Sequence, residues 1–68
     1  MVMSARNQLA GRITRVKKGN VMTEVVVDMS GQELVAAITT GSATRMRLKK
    51  GDRVFAVIKA TEVMIAKE

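Results

Sequence analysis

Cysteine, histidine and proline are absent from this chain of 68 residues, as are tryptophan and tyrosine, and phenylalanine occurs once. Without cysteine no disulfide can staple the fold, and without both cysteine and histidine the usual thiolate and imidazole metal ligands are missing. A nucleophile–base pair built on either residue is excluded as well. No apolar run approaches the length of a membrane span, and Met1–Gln8 lacks the apolar stretch of a signal peptide. A cysteine-free chain suits a reducing compartment, so a cytoplasmic location is the expectation. At this length a single domain, residues 1–68, lies near the lower limit for burying a core alone. Its stability must come from efficient packing, self-association or a bound ligand.

Carboxylates are also scarce and unevenly placed. Twelve Lys and Arg face six Asp and Glu, a net charge of +6, which favours an anionic partner. No acidic residue precedes Glu24 and none lies between Glu33 and Asp52. Residues 1–23 and 34–51 are therefore places where an anion meets no repelling neighbour in sequence.

What is present reads as short strands. Gly11, Gly19, Gly31, Gly41 and Gly51 fall at a spacing typical of small sandwiches and barrels. Residues 9–17 alternate loosely, with Leu9, Gly11 and Ile13 on one side and Arg12 and Thr14 on the other. Lys17-Lys18-Gly19-Asn20 forms a turn. Residues 21–29 are the clearest strand, with Val21, Thr23, Val25, Val27 and Met29 on one face and Glu24 and Asp28 on the other. Ser30-Gly31 makes a tight turn into a third strand at about Gln32–Thr39. Ser42 is placed to cap a short helix running to about Leu48, stopped by Gly51. Strands resume at Arg53–Lys59 and, after a break at Ala60-Thr61, at Glu62–Ala66. The order β-β-β-α-β-β predicts a mainly β fold: a five-stranded OB-like Greek-key barrel with one short helix between strands three and four.

A lone barrel has one interior, yet several strands here are apolar on two faces. Phe55 and Val57 oppose Val54, Ala56 and Ile58, Met22 and Val26 lie on the nominally outer face of strand two, and Val63-Met64-Ile65-Ala66 alternates nowhere. Such surface must be covered, so an oligomer is expected.

Three segments carry donors without acceptors. Thr39-Thr40-Gly41-Ser42-Ala43-Thr44 ends a strand and enters the helix, so its hydroxyls and backbone N–H groups suit an anion, or serve as an ordinary cap. Lys59-Ala60-Thr61 joins a cation and a hydroxyl around a small residue, although a lysine at a strand end commonly reaches for solvent. Ser4-Ala5-Arg6 adds a hydroxyl, an accessible N–H and the guanidinium fork, or is a solvated terminus. Converging, the three would suit an oxyanion fully deprotonated at neutral pH, such as molybdate, tungstate or sulfate. A hydrogen phosphate would bring a proton that finds no strong acceptor. The pairs Lys17-Lys18 and Lys49-Lys50 keep the surface soluble and steer anions through the summed field.

Nucleic-acid surfaces of OB barrels add aromatic stacking platforms, which a single phenylalanine cannot supply. No nucleic-acid partner and no membrane partner is expected. No carboxylate pair, histidine or thiol forms a catalytic constellation, so no enzyme is expected and no cofactor is called for.

"SARNQLAGRI", "VVVDMSGQELVAAITTGSATRMRLKKGD" and "VFAVIKATEVMIA" together resemble the molbindins, the small Mop or TOBE-like molybdate-binding proteins. The resemblance runs from about Met3 to Ala66. It implies an OB-like subunit assembled as a hexamer, a trimer of dimers, binding molybdate or tungstate between subunits. It sets Ser4, Ala5 and Arg6 of one subunit against Thr39, Ser42, Lys59, Ala60 and Thr61 of its neighbour. A second oxyanion site near a threefold axis is carried onto Lys18, Gly19 and Asn20. Asn7 and Gln8 either brace the arm or serve that second site. In this reading the metal arrives as an oxyanion, with no direct side-chain coordination. Related domains occur in a molybdate-responsive regulator and in a transporter ATPase. This sequence holds no DNA-binding or ATPase segment, so the expectation is an intracellular oxyanion store. An RNA-binding OB module, similar in size to a small bacterial initiation factor, and a purely structural oligomerisation module are the alternatives.

Overall fold

The computed structural model describes residues 2–68, and Met1, the first residue of the expected domain, lies outside the described residues. Four strands form: β1 (Asn7–Lys18), β2 (Met22–Met29), β3 (Gln32–Thr39) and β4 (Arg53–Ile58). One helix, α1 (Thr40–Arg45), separates β3 from β4, and a 3-10 turn follows at Ala60–Glu62. The sheet is antiparallel in the order β3-β2-β1-β4. Three hairpin-linked strands with the fourth returning beside the first make a Greek key.

The loose alternation of β1 has a physical cause. Ile13 pairs with Val27 and Arg15 with Val26, so Thr14 is an extra residue, a β-bulge. The bulge lets Ile13 and Val16 share one face although they stand three residues apart. Ile13, Val25 and Val27 form the buried centre, with Val16, Met29, Ile38, Leu48 and Val54 packed against it. Each fully buried aliphatic side chain contributes roughly 1.5–3 kcal/mol. Three of them make a thin core for a free-standing domain. At the β2–β3 connection Ser30 and Gly31 both take positive φ, 56° and 92°. That is the two-residue turn whose twist matches the flanking strands.

The helix departs from its expected bounds. Thr39, not Ser42, is the N-cap: its backbone is extended and its side chain accepts from the Ser42 N–H at 3.1 Å. The helix ends at Arg45 rather than Leu48, because Arg47 turns left-handed with φ 54°. Arg47 N–H donates to Thr44 O at 3.0 Å and Leu48 N–H to Ala43 O at 3.1 Å, the paired bonds of a Schellman motif. Gly51 therefore ends no helix. It sits in the turn that returns the chain to β1, where Gly51 N–H donates to Ile13 O at 2.8 Å and Arg12 Nη1 to Gly51 O at 2.8 Å.

The expected fifth strand at Glu62–Ala66 is not formed, so the barrel is open within one chain. The 3-10 turn lifts the chain off the end of β4, so the segment after it does not pair with the sheet's open edges. Met64 and Ile65 are 92% and 89% exposed. The place such a strand would fill is evident. Leu34, Ala36 and Ile38 of β3 and Val54, Ala56 and Ile58 of β4 line an apolar cavity of about 450 Å³ between the two sheet edges. Phe55 is 55% exposed on the outer face of β4, as its place on a second apolar face leads one to expect, whereas Val26 is covered by its own chain.

Candidate functional site

The β1–β4 ladder ends where two of the three donor segments begin. Asn7 pairs with Ile58, the outermost register pair. Beyond it both chains leave the ladder: Arg6 and Lys59 are the next residues on either side, and Ala60–Glu62 then turns as a 3-10 segment. The arm is tied at both of its inner residues. Asn7 Nδ2 donates to Ile58 O at 3.2 Å, and Gln8 Nε2 donates to Ala5 O at 2.7 Å. Asn7 and Gln8 thus brace the arm, and Ala5 becomes half-buried.

Ser4, Arg6, Lys59, Ala60 and Thr61 remain exposed. Among the described residues the one ion pair is Lys49–Asp52, so neither Arg6 nor Lys59 is neutralised by a carboxylate. Glu62 follows Thr61 directly, but its recorded bond is backbone, Glu62 N–H to Lys59 O at 2.9 Å. Exposed donors of this kind are held by water until another surface excludes it.

The third segment lies at the other end of β1. Thr39 pairs with Met22, and Lys18 with Thr23, so the start of α1 adjoins the first hairpin. No hydrogen bond among the described residues joins Thr39 or Ser42 to the arm or to Lys59–Thr61. With six residues, α1 adds little dipole, and the hydroxyls carry the chemistry. Thr39 Oγ1 donates to Ser42 Oγ at 2.8 Å and accepts from Ser42 N–H. Its only proton is thereby committed, and the Ser42 hydroxyl keeps its proton to offer outward.

The second expected site is less purely cationic than its sequence. Lys18 and Gly19 line an open cavity of about 300 Å³, but Glu24 shares its wall. Asn20 is exposed and lies outside that lining. Thr23, bonded to Thr40 at 2.8 Å, has a clear local role here and carried no functional expectation, whereas Thr40 counted only as one hydroxyl of the donor segment. The available signal was Thr23 itself, a polar residue at an inward position of the most regular strand.

Among the described residues no cluster of three His, Cys, Asp or Glu side chains exists that would hold a metal ion. Nor is any helix long and apolar enough to cross a membrane.

The Greek-key sheet with its single short helix and its hydroxyl and cationic donors defines a TOBE-class domain, and residues 3–65 match the TOBE domain. The chain is 46% identical over 66 residues to Molybdenum-pterin-binding protein 3 of Clostridium pasteurianum, covering 96% of this chain and 97% of that protein. It is 44% identical over 66 residues to Molybdenum transport protein ModE of Herbaspirillum seropedicae, covering 96% of this chain but 24% of that longer protein. A molybdate binding protein from Sporomusa ovata has the same fold, with a TM-score of 0.95 at 45% identity over 98% of this chain and 100% of that one. The chain belongs to the molbindin family.

Proposed function

We propose that this protein binds molybdate or tungstate reversibly, without chemistry, as a cytoplasmic store. The observation that supports the reading is the Asn7–Ile58 ladder end: the Ser4–Arg6 and Lys59–Thr61 segments both leave the sheet from this pair, and neither Arg6 nor Lys59 has an ion-pair partner. Arg6 and Lys59 supply charge, Ser4 and Thr61 hydroxyl donors, and Ala5 and Ala60 backbone N–H groups. Thr39 and Ser42 are too far along the fold to join from the same end of β1. They complete the pocket across a subunit interface, where water is excluded and charge-assisted bonds gain strength. The relatives named for molybdenum or molybdate binding support the choice of anion. Lys18, Gly19 and Asn20 are the second, weaker site, limited by Glu24.

Self-association is part of the same proposal. The apolar cavity between β3 and β4 and the exposed Val63-Met64-Ile65 segment have complementary surfaces within one sequence. A second copy's tail entering that cavity covers both and protects two sheet edges. Closed assembly of such pairs into a hexamer would cover further outer-face residues, Phe55 and Val57 among them. Because the pocket spans subunits, ligand stabilises the assembly by linkage.

Calorimetric titration with molybdate, tungstate, sulfate and phosphate tests the reading on wild type and Arg6→Ala. Saturable binding of molybdate and tungstate in preference to phosphate, weakened in Arg6→Ala, is the expected result. An assembled wild type that ignores both anions overturns it. Salt-sensitive RNA binding in their place would point to the OB-module alternative.

A further inference from the structure

Thr23 is 1% exposed, a hydroxyl inside the most regular strand. Its Oγ1 lies 2.8 Å from Thr40 Oγ1, and Thr40 Oγ1 donates to Gly19 O at 2.8 Å. A hydroxyl has one proton, and that of Thr40 is spent on Gly19, so in the Thr23–Thr40 contact Thr23 is the donor. The chain of bonds therefore has a fixed sense: Thr23 O–H to Thr40 Oγ1, and Thr40 O–H to the Gly19 carbonyl. The Thr40 N–H adds a second tie, donating to Val21 O at 2.8 Å. The first hairpin loop is thus clamped around Thr40 from two sides. Gly19 has no room to differ here, since an added Cβ would sit 2.6 Å from Met22 O.

Thr40 stands between the cap residue Thr39 and Ser42, the two hydroxyls of the proposed pocket at this end of the fold. Its ties run to the Lys18–Asn20 loop, the proposed second site. We infer that Thr40, held by Thr23, is a positioning residue that fixes the α1 corner and the first hairpin loop as one unit. Oxyanion affinity depends on this hydroxyl although it never touches the ligand. The inference rests on the oxyanion-binding reading above, and names which side chains outside the donor set tune it. The physical reason is preorganisation: a loop already fixed in its binding geometry loses less entropy when the anion arrives.

The test separates positioning from mere stability. Thr40→Val removes the tie to Gly19 and also strands the buried Thr23 hydroxyl, so both thermal stability and molybdate affinity fall. In the double variant Thr23→Val with Thr40→Val no hydroxyl is left buried and unpaired, and shape is retained, so stability recovers. Affinity does not recover, because Gly19 is still untied. Titration with molybdate well below the unfolding temperature is expected to show affinity about tenfold weaker in both variants, one lost hydrogen bond's worth. Thr40→Ser keeps the hydroxyl and restores affinity to within about twofold of wild type. Amide hydrogen exchange on the ligand-free protein gives an independent readout: the Gly19 and Thr40 amides exchange faster in the double variant and recover in Thr40→Ser. Affinity that returns together with stability in the double variant overturns the inference, and so do unchanged Gly19 and Thr40 exchange rates. A wild type that binds no molybdate would defeat the functional reading instead, while the exchange rates still decide whether Thr40 holds the loop.

Discussion

Asn7 and Ile58 are joined twice, as the last register pair of the β1–β4 ladder and through Asn7 Nδ2 to Ile58 O at 3.2 Å. The second bond is side chain to backbone, so it holds the ladder end where both strands stop. Arg6 and Lys59 are the next residues on the two chains. Two like charges brought close together repel. An anion between them reverses the sign of that interaction.

Removing one of the two cations is therefore the sharpest perturbation of binding. Arg6→Ala loses a charge-assisted hydrogen bond, worth about 1.5–3 kcal/mol, so molybdate affinity falls roughly ten- to hundredfold. Asn7→Ala leaves every donor in place but unties the arm, and a loss of about fivefold is expected. Calorimetry on both variants checks the ranking. Equal affinities for wild type and Arg6→Ala would remove the arm from the site.

The C-terminal segment makes a separate prediction about assembly. Met64 and Ile65 are the most exposed large apolar side chains after Val2, and a cavity lined by β3 and β4 has room for such groups. Placing a charge at each, Met64→Asp with Ile65→Asp, buries two unpaired carboxylates in any assembly that uses the tail. Light scattering coupled to size exclusion is expected to show a smaller species than wild type. An unchanged mass for the double variant would mean that subunits meet elsewhere.

Much of this was legible in the residues, and what was not has a common cause. The first three strands, the Ser30-Gly31 turn and β4 follow from period-two alternation and turn chemistry, which are local. The fifth strand does not form because the Ala60–Glu62 turn leads Val63–Ala66 away from the open β3 and β4 edges. Pairing is a property of partners, and composition alone cannot supply them. The helix bounds shifted because Thr39 and Ser42 are both good caps, and the choice fell to where β3 ended. At the site, the sequence marked the donor segments but not their grouping. Register set the starts of the Ser4–Arg6 and Lys59–Thr61 segments at one end of β1 and left Thr39 at the other.

Arg47 offers a route to a more stable protein. Its φ of 54° is a conformation that glycine adopts freely and arginine does not, and it sits at the position after the helix cap where glycine is preferred. Arg47→Gly should therefore stabilise the fold by about 0.5–1 kcal/mol, since relief of the left-handed strain outweighs glycine's greater freedom when unfolded. Thermal unfolding compared with Arg47→Ala, which keeps the strain, measures it. A lower unfolding temperature for Arg47→Gly than for Arg47→Ala would refute the assignment of strain.

Asp52 gives the pH dependence. Hydrogen bonds from the Lys49 ammonium, 2.9 Å away, and from the Lys49 N–H, 3.0 Å away, hold its carboxyl below the ordinary value of 3.8. A carboxyl whose pKa is lower when folded binds its proton more readily when unfolded. Its contribution is fully present above 3.8 and is lost as pH falls through the lower folded value. The turn it closes also carries Gly51 back onto Ile13, so loosening it exposes an edge of the core. Unfolding temperatures of wild type and Asp52→Asn, compared at neutral pH and at successively lower pH, should converge on acidification. The asparagine keeps one acceptor for the Lys49 N–H but no charge, so the gap at neutral pH reports the Lys49 ammonium. That gap is expected to be small, because the pair is exposed to solvent, and to shrink further in high salt. A gap that widens on acidification would mean that another carboxylate carries the acid sensitivity of this turn.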